Sequence, residues 1–258
     1  MPLASPAHAI SFLAAFVAGA INSVAGGGTL VSFPALVWIG LPSITANATS
    51  TVGIWPASVG GMWGYRRELR GLTPRSYVLI APSIVGGALG AILLRMTPTT
   101  LFDRLVPVLI LFATLLFMLQ DPVQRMLKRS GGAHGESRVW MAGAVIFQFL
   151  VALYGGYFGA GIGILMLAAL GILGYRDIHQ MNGLKNLLAL FINGVAAAYF
   201  VVMRMVYWPE ALVMTVGAIA GGYGGAGVAR RLGPAGVRRI VVIVGFTMAL
   251  SLLMRQRH

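Results

Sequence analysis

Apolar residues come in ten runs separated by short polar stretches. In the first half the runs span His8 to Ala25, Thr29 to Leu41, Thr45 to Tyr65, Ser76 to Leu94 and Leu101 to Gln120. A polar stretch from Asp121 to Arg138, with Ser130-Gly131-Gly132-Ala133-His134-Gly135 inside it, reads as a linker. The second half repeats the pattern over Val139 to Phe158, Ile164 to Gly174, Met181 to Met203, Tyr207 to Ala229 and Ile240 to Met254. Long apolar runs predict helices that cross a membrane, each needing about 20 residues.

Five runs, a linker and five more runs predict a duplication, and single residues support it. At an offset of 135, Asn47 falls on Asn182, Gly86-Gly87 on Gly221-Gly222, Gly90 on Gly225, Arg95 on Arg230 and Arg104 on Arg239. Upstream, Gly27 falls on Gly161 and Gly40 on Gly174 at 134. The predicted organisation is a first membrane repeat over 1–120, a cytoplasmic linker over 121–138 and a second membrane repeat over 139–258.

Composition agrees with the pattern. Of 258 residues, 58% are apolar, 10% are charged and 35 are glycine, where a soluble domain carries roughly a quarter charged residues. The net charge of +13 would suggest nucleic acid in a soluble protein. Here the basic residues sit in short loops between apolar runs and mark topology, so no nucleic-acid partner is expected. The absence of cysteine removes disulfides, thiolate catalysis and Cys-ligated metals, and the four histidines show no metal-ligand spacing. The start, Met1-Pro2-Leu3-Ala4-Ser5-Pro6, lacks a basic n-region and reads as a mature N-terminus.

Basic clusters also set orientation. Arg66, Arg67, Arg70 and Arg75, the linker's Arg125, Lys128, Arg129 and Arg138, and Arg230, Arg231, Arg238 and Arg239 share the cytoplasmic side only if the first two runs of each half form a hairpin. Each half then makes an odd number of further crossings, so the halves are inverted relative to each other. Thr29 to Leu41 reaches only about 20 Å of a roughly 30 Å hydrocarbon core. A re-entrant half-helix fits that length, and two short tilted spans remain open. The predicted fold is therefore all-α: two inverted repeats, each a Gly-rich broken or re-entrant hairpin followed by three membrane-spanning helices.

Two constellations carry candidate chemistry. Asn22-Ser23-Val24-Ala25-Gly26-Gly27-Gly28-Thr29 lies between the arms of the first hairpin, echoed by Gly155-Gly156-Tyr157-Phe158-Gly159-Ala160-Gly161-Ile162-Gly163 in the second. Irregular backbone at membrane depth is tolerated where it lines a cavity or is buried in protein. The second arm of each hairpin would point free N–H groups and a positive dipole end toward the membrane centre, a site for a small anion. The alternative is that these glycines serve helix packing alone.

On the next run, Asn47, Ser50, Thr51 and Ser58 share one helix face, and Asn182, Lys185, Asn186 and Asn193 sit at the same offsets. Lys185 can hold an anion by its charge, or it can snorkel to the cytoplasmic surface. All six acids fall in loops or at run ends, so an anion rather than a cation is the expected substrate. Gly86-Gly87 with Gly90 and Gly221-Gly222 with Gly225 read as packing contacts. Pro34 and Pro56 are expected to break or kink their helices.

The glycine hairpins, Pro34, Gly40-Leu41-Pro42, Ala46-Asn47-Ala48-Thr49 and Met181-Asn182-Gly183-Leu184-Lys185-Asn186 together resemble the TauE/SafE family of sulfite and organosulfonate exporters. The resemblance covers essentially the whole chain. It implies a multi-pass transporter of the bacterial inner membrane that moves small sulfur-containing anions. One departure is Ala168 where the first half has Pro34.

The expectation is thus a secondary transporter of sulfite, an organosulfonate or a related sulfur compound or carboxylate, working by alternating access. Candidate substrate-binding residues are Asn22, Ser23, Gly26, Gly27, Gly28, Thr29, Asn47, Ser50, Thr51, Tyr157, Gly159, Gly161, Gly163, Asn182, Lys185, Asn186 and Asn193. No cofactor, metal or enzymatic activity is expected. No GxxxxGK[ST] is present, so an ion or substrate gradient must supply the energy. Membrane lipid and the small anion are the expected partners, and a homodimer stays open. An anion channel is the alternative; an intramembrane enzyme using Ser23 lacks a base.

Overall fold

The computed structural model describes residues 6–24, 27–64, 66–69, 77–119, 122, 138–173, 175, 177–225, 236, 239, 241–251 and 254. Most of the predicted linker, and Gly26 of the first hairpin, lie outside the described residues. Every described element is helical. In chain order they are α1 (Pro6–Val24), α2 (Thr29–Trp38), α3 (Ser43–Gly64), a single turn α4 (Arg66–Leu69), α5 (Ile80–Met96) and α6 (Thr99–Met118). There follow α7 (Arg138–Tyr157), α8 (Ile162–Ile172), α9 (Ile178–Val202), α10 (Trp208–Ala220) running into a π turn (Gly221–Gly225), and α11 (Val241–Ser251).

Lengths sort these helices into two kinds. Thr99–Met118 and Gln180–Val202 are long and apolar enough to cross a membrane. Helices α2 and α8, with 10 and 11 residues, span about 15–17 Å, half of a hydrocarbon core. Helix α2 stops because Gly40 takes φ +98°, letting Leu41 N–H donate to Leu36 C=O and Gly40 N–H to Val37 C=O. The same reverse bond ends α8, from Tyr175 N–H to Leu170 C=O. Pro34 and Pro56, expected to break or kink their helices, do not break them: both sit inside continuous helices.

Outward faces are apolar. Leu13, Val108, Ile146, Leu212, Val216 and Leu250 are exposed, while Ser11, Ser32, Asn47, Thr49, Ser50, Ser83, Gln148, Lys185 and Glu210 are buried. That inversion of the soluble pattern suits a solvent of hydrocarbon.

Glycine decides which helices touch. Helices α1 and α10 pack along their length, as do α5 and α7. A Cβ on Gly221 would stand 1.9 Å from Phe16 O, and one on Gly156 would stand 2.1 Å from Gly87 O. These are backbone-to-backbone approaches that no side chain could enter, as the sequence spacing of the glycine pairs predicted. Helix α3 lies against α10 and α9 against α5, and α3 crosses α9, where the Trp55 indole N–H donates to Leu190 O at 3.1 Å. A Cβ on Gly194 would meet the Trp55 ring at 3.0 Å, so glycine there admits the indole.

One buried pair was not foreseen. His8 Nδ1 lies 2.8 Å from Glu210 Oε1, linking the first turns of α1 and α10. The sequence places Glu210 at a run end, and the fold buries it to 3% exposure.

Gly156→Ala is expected to destabilise the protein by about 1–3 kcal/mol, because its Cβ must push backbone apart. Gly143, whose Cβ would meet nothing within 4 Å, provides the control. Thermal melting in detergent should fall for Gly156→Ala and hold or rise for Gly143→Ala.

Candidate functional site

The first hairpin closes on a side chain. Asn22, near the end of α1, accepts at Oδ1 from Gly27 N–H at 2.9 Å and from Gly28 N–H at 2.8 Å. Gly27 takes φ +115°, and a Cβ there would stand 2.1 Å from the Phe117 ring. Leu30 N–H donates to Gly27 O and Val31 N–H to Gly28 O, which tightens the first turn of α2. Ser32 Oγ donates to Gly28 O at 3.2 Å and lies 2.7 Å from Ser50 Oγ on α3. The N–H groups of Gly27 and Gly28, expected to be free for a ligand, are therefore satisfied from within.

The second hairpin closes differently. Phe158 and Gly159 N–H both donate to Tyr154 O, and the Tyr154 hydroxyl donates to Ala160 O at 2.8 Å. Gly159 and Gly161 take φ +79° and +78°, conformations that favour glycine. Asn47 of α3 reaches across and donates from Nδ2 to Tyr157 O at 3.0 Å. Helix α8 begins after Gly161 with no side-chain cap. No side chain among the described residues meets the N–H groups of Ala160, Gly161, Ile162 and Gly163.

Lys185 runs over this open helix start. Its Cδ lies 3.3 Å from where a Gly163 Cβ would be, and the residue is only 6% exposed. Among the described residues it has neither an ion pair nor a hydrogen bond. Seven residues into α9 it is about 10 Å from the helix start, and its methylene stem packs against the first turn of α8.

The remaining predicted residues divide into those that converge and those already committed. Asn193 Oδ1 lies 3.7 Å from the Cβ position of Gly159, so Asn47, Lys185 and Asn193 all reach the stretch from Tyr157 to Gly163. Asn47 Oδ1 is buried without a partner. Thr51 donates its hydroxyl to Asn47 O on its own helix at 2.9 Å, and Ser50 is paired with Ser32. The Tyr157 ring packs edge-on against Phe102 at 5.7 Å, with its hydroxyl 3.4 Å from Thr97 Oγ1. Thr29, Asn182 and Asn186 are half-buried, and Ser23 is described for its backbone alone.

Both hairpin tips rest on α6, Gly27 on Phe117 and Gly161 on Ala113 and Leu116, within about one helical turn of each other. Phe33 of α2 meets Phe158 of the second turn at 5.3 Å. Sequence reasoning missed Ser32 and this Phe33–Phe158 contact. A lone serine inside an apolar run signals Ser32; nothing in the sequence signals the ring pair.

Apolar outer faces, an apolar core with buried polar side chains set into it, and two half-length helices meeting inside are the features of a helical membrane protein. The family model for the sulfite exporter TauE/SafE matches residues 11–252, and the chain belongs to that family. It is 28% identical over 254 residues to a probable membrane transporter protein of Haemophilus influenzae, covering 96% of this chain and 95% of the relative. It is 27% identical to the probable membrane transporter protein YfcA of Escherichia coli K12, covering 95% and 88%. A relative from a Sinorhizobium species, probable membrane transporter protein ORF9, is 26% identical over 97% of this chain and 94% of its own length. No solved structure matches the chain.

Asn47→Leu leaves the Tyr157 carbonyl unpaired within the fold and is expected to cost about 1–3 kcal/mol. Thermal melting should show that loss, and Thr51→Val, which removes a bond within one helix, should cost less.

Proposed function

We propose that the protein is a secondary transporter carrying a small anion across the bacterial inner membrane by alternating access. Sulfite, an organosulfonate, or a related sulfur compound or carboxylate is the substrate class. The observation that carries this reading is Lys185: a residue at 6% exposure, with no partner among the described residues, whose stem lies over the uncapped start of α8. An anion seated there would neutralise the ammonium and accept from the open N–H groups in one step. Asn47 and Asn193 would line the same pocket, fixing the ligand's orientation.

The reading includes two inverted membrane repeats, over 1–120 and 139–258, joined by a cytoplasmic linker over 121–138. Support comes from the packing: α1 on α10 and α7 on α5 are interchanged by the 135-residue offset, as are α3 on α10 and α9 on α5. Trp55 and Leu190, joined by a hydrogen bond where α3 crosses α9, are themselves 135 apart. Such a pseudo-symmetric frame with half-length helices at its centre can open alternately to either side. The tight pairs α1–α10 and α5–α7 each join the two halves, so rocking would move these mixed pairs rather than whole sequence halves.

Methanesulfonate, sulfite and sulfate should raise the melting temperature of the purified protein, as any ligand selective for the folded state does. Lys185→Ala should abolish the shift while keeping its helical circular dichroism. Shifts with cations alone, or shifts unchanged in Lys185→Ala, would sink the anion reading. Single cysteines at positions 70 and 130 should both react with an impermeant maleimide only from the cytoplasmic face; labelling from opposite faces would refute the inverted topology.

A further inference from the structure

We infer that the anion site is single and lies in the second half, because the first half fills its own equivalent with the side chain of Asn22. This inference rests on the anion-transport reading and narrows it to one helix start. Duplication alone would give two sites, one at the start of α2 and one at the start of α8.

The two starts differ residue by residue. At α2, Asn22 Oδ1 accepts from two successive N–H groups, at 2.9 and 2.8 Å, where an oxygen of a bound oxyanion would otherwise lie. At offsets of 134 and 135 the matching positions are Gly156 and Tyr157, and neither returns an oxygen to the α8 start. Ser50 stands at the position matching Lys185, and its hydroxyl is paired with Ser32 at 2.7 Å. Positions 166 and 167, the register mates of Ser32, are Met166 and Leu167 and offer no such pair. Thus the start of α2 is neutral, and two of its N–H groups, those of Gly27 and Gly28, are met by a side chain. At the start of α8 no side chain among the described residues caps the helix, and Lys185, 6% exposed, lays its stem 3.3 Å from the Cβ position of Gly163.

One ammonium balances one negative charge, so the site suits a singly charged oxyanion whose several oxygens can share the N–H groups and Lys185. Asn22 is then a positioning residue that holds the first hairpin closed against the second, and not a ligand of the substrate.

The test uses the full chain in detergent with methanesulfonate as the probe. Native mass spectrometry should count one methanesulfonate per chain; two per chain would overturn the inference while leaving the transporter reading intact. By isothermal titration, Lys185→Gln should lose about tenfold or more in affinity, as expected for removing a charged partner, and Asn22→Ala should stay within about threefold of the parent. A tenfold loss in a folded Asn22→Ala protein would make Asn22 a ligand and overturn the inference. The mass count needs no variant, so it decides the matter even where Asn22→Ala fails to fold. No binding to the parent protein by either method would refute the anion reading itself, and the inference with it.

Discussion

Helices α2 and α8, 10 and 11 residues long and packed inside the protein, end in backbone N–H and C=O groups that lie among other helices. Satisfying them from inside the protein is the constraint on which this structure turns. The carbonyl ends of α2 and α8 are closed by reverse bonds, Leu41 N–H to Leu36 O and Tyr175 N–H to Leu170 O. At the hairpin tips the solutions come from side chains: Asn22 on Gly27 and Gly28, Tyr154 on Ala160 O, and Asn47 on Tyr157 O. At the N-terminal turn of α8 no side chain among the described residues does the same. Under the proposed reading that turn, with the Lys185 stem beside it, is where an anion has something to gain.

The frame that holds the tips at this depth is made by glycine. In a membrane there is little hydrophobic drive between helices, so close van der Waals approach has to supply the packing. Gly86, Gly90 and Gly156 bring α5 and α7 to backbone contact, and Gly19, Gly217 and Gly221 do the same for α1 and α10. Each pair joins an early helix to a late one, so neither half can form its packing alone. The buried His8–Glu210 pair sits on the second of these seams. Glu210 is buried and His8 half-buried, and their contact ties the first turns of α1 and α10 together.

Much of this was legible in the sequence. The ten runs correspond to the described helices α1, α2, α3, α5, α6, α7, α8, α9, α10 and α11, with ends differing by a few residues. Polar positions at offsets 0, 3, 4 and 11 placed Asn47, Lys185 and Asn193 on inward faces, because helical periodicity is a local property. Of the break or kink expected at Pro34 and Pro56, no break is seen, because a helix packed on neighbours can run through a proline. The bonds of Asn22 were not legible for a different reason. Its bonds span five and six residues across an irregular turn, and no periodic rule predicts such a loop. His8 and Glu210 are 202 residues apart and meet only because glycine lets their helices touch.

Identical scaffolds with unequal contents have a physical logic. If both hairpins carried a lysine, two buried cations would face each other across one helical turn of α6, and their repulsion in a low-dielectric interior would oppose the close packing of the tips. If neither did, both sets of N–H groups could be met by amide and hydroxyl oxygens, as at α2, and nothing would draw an anion in. Placing Ser50 and Asn22 on one side and Lys185 on the other keeps the halves similar enough to pack by the same glycine contacts. It also concentrates the unmet demand on a single helix start. Under the proposed reading, asymmetry of charge inside a near-symmetric frame is what would turn a well-packed membrane bundle into one with a preferred place for an anion.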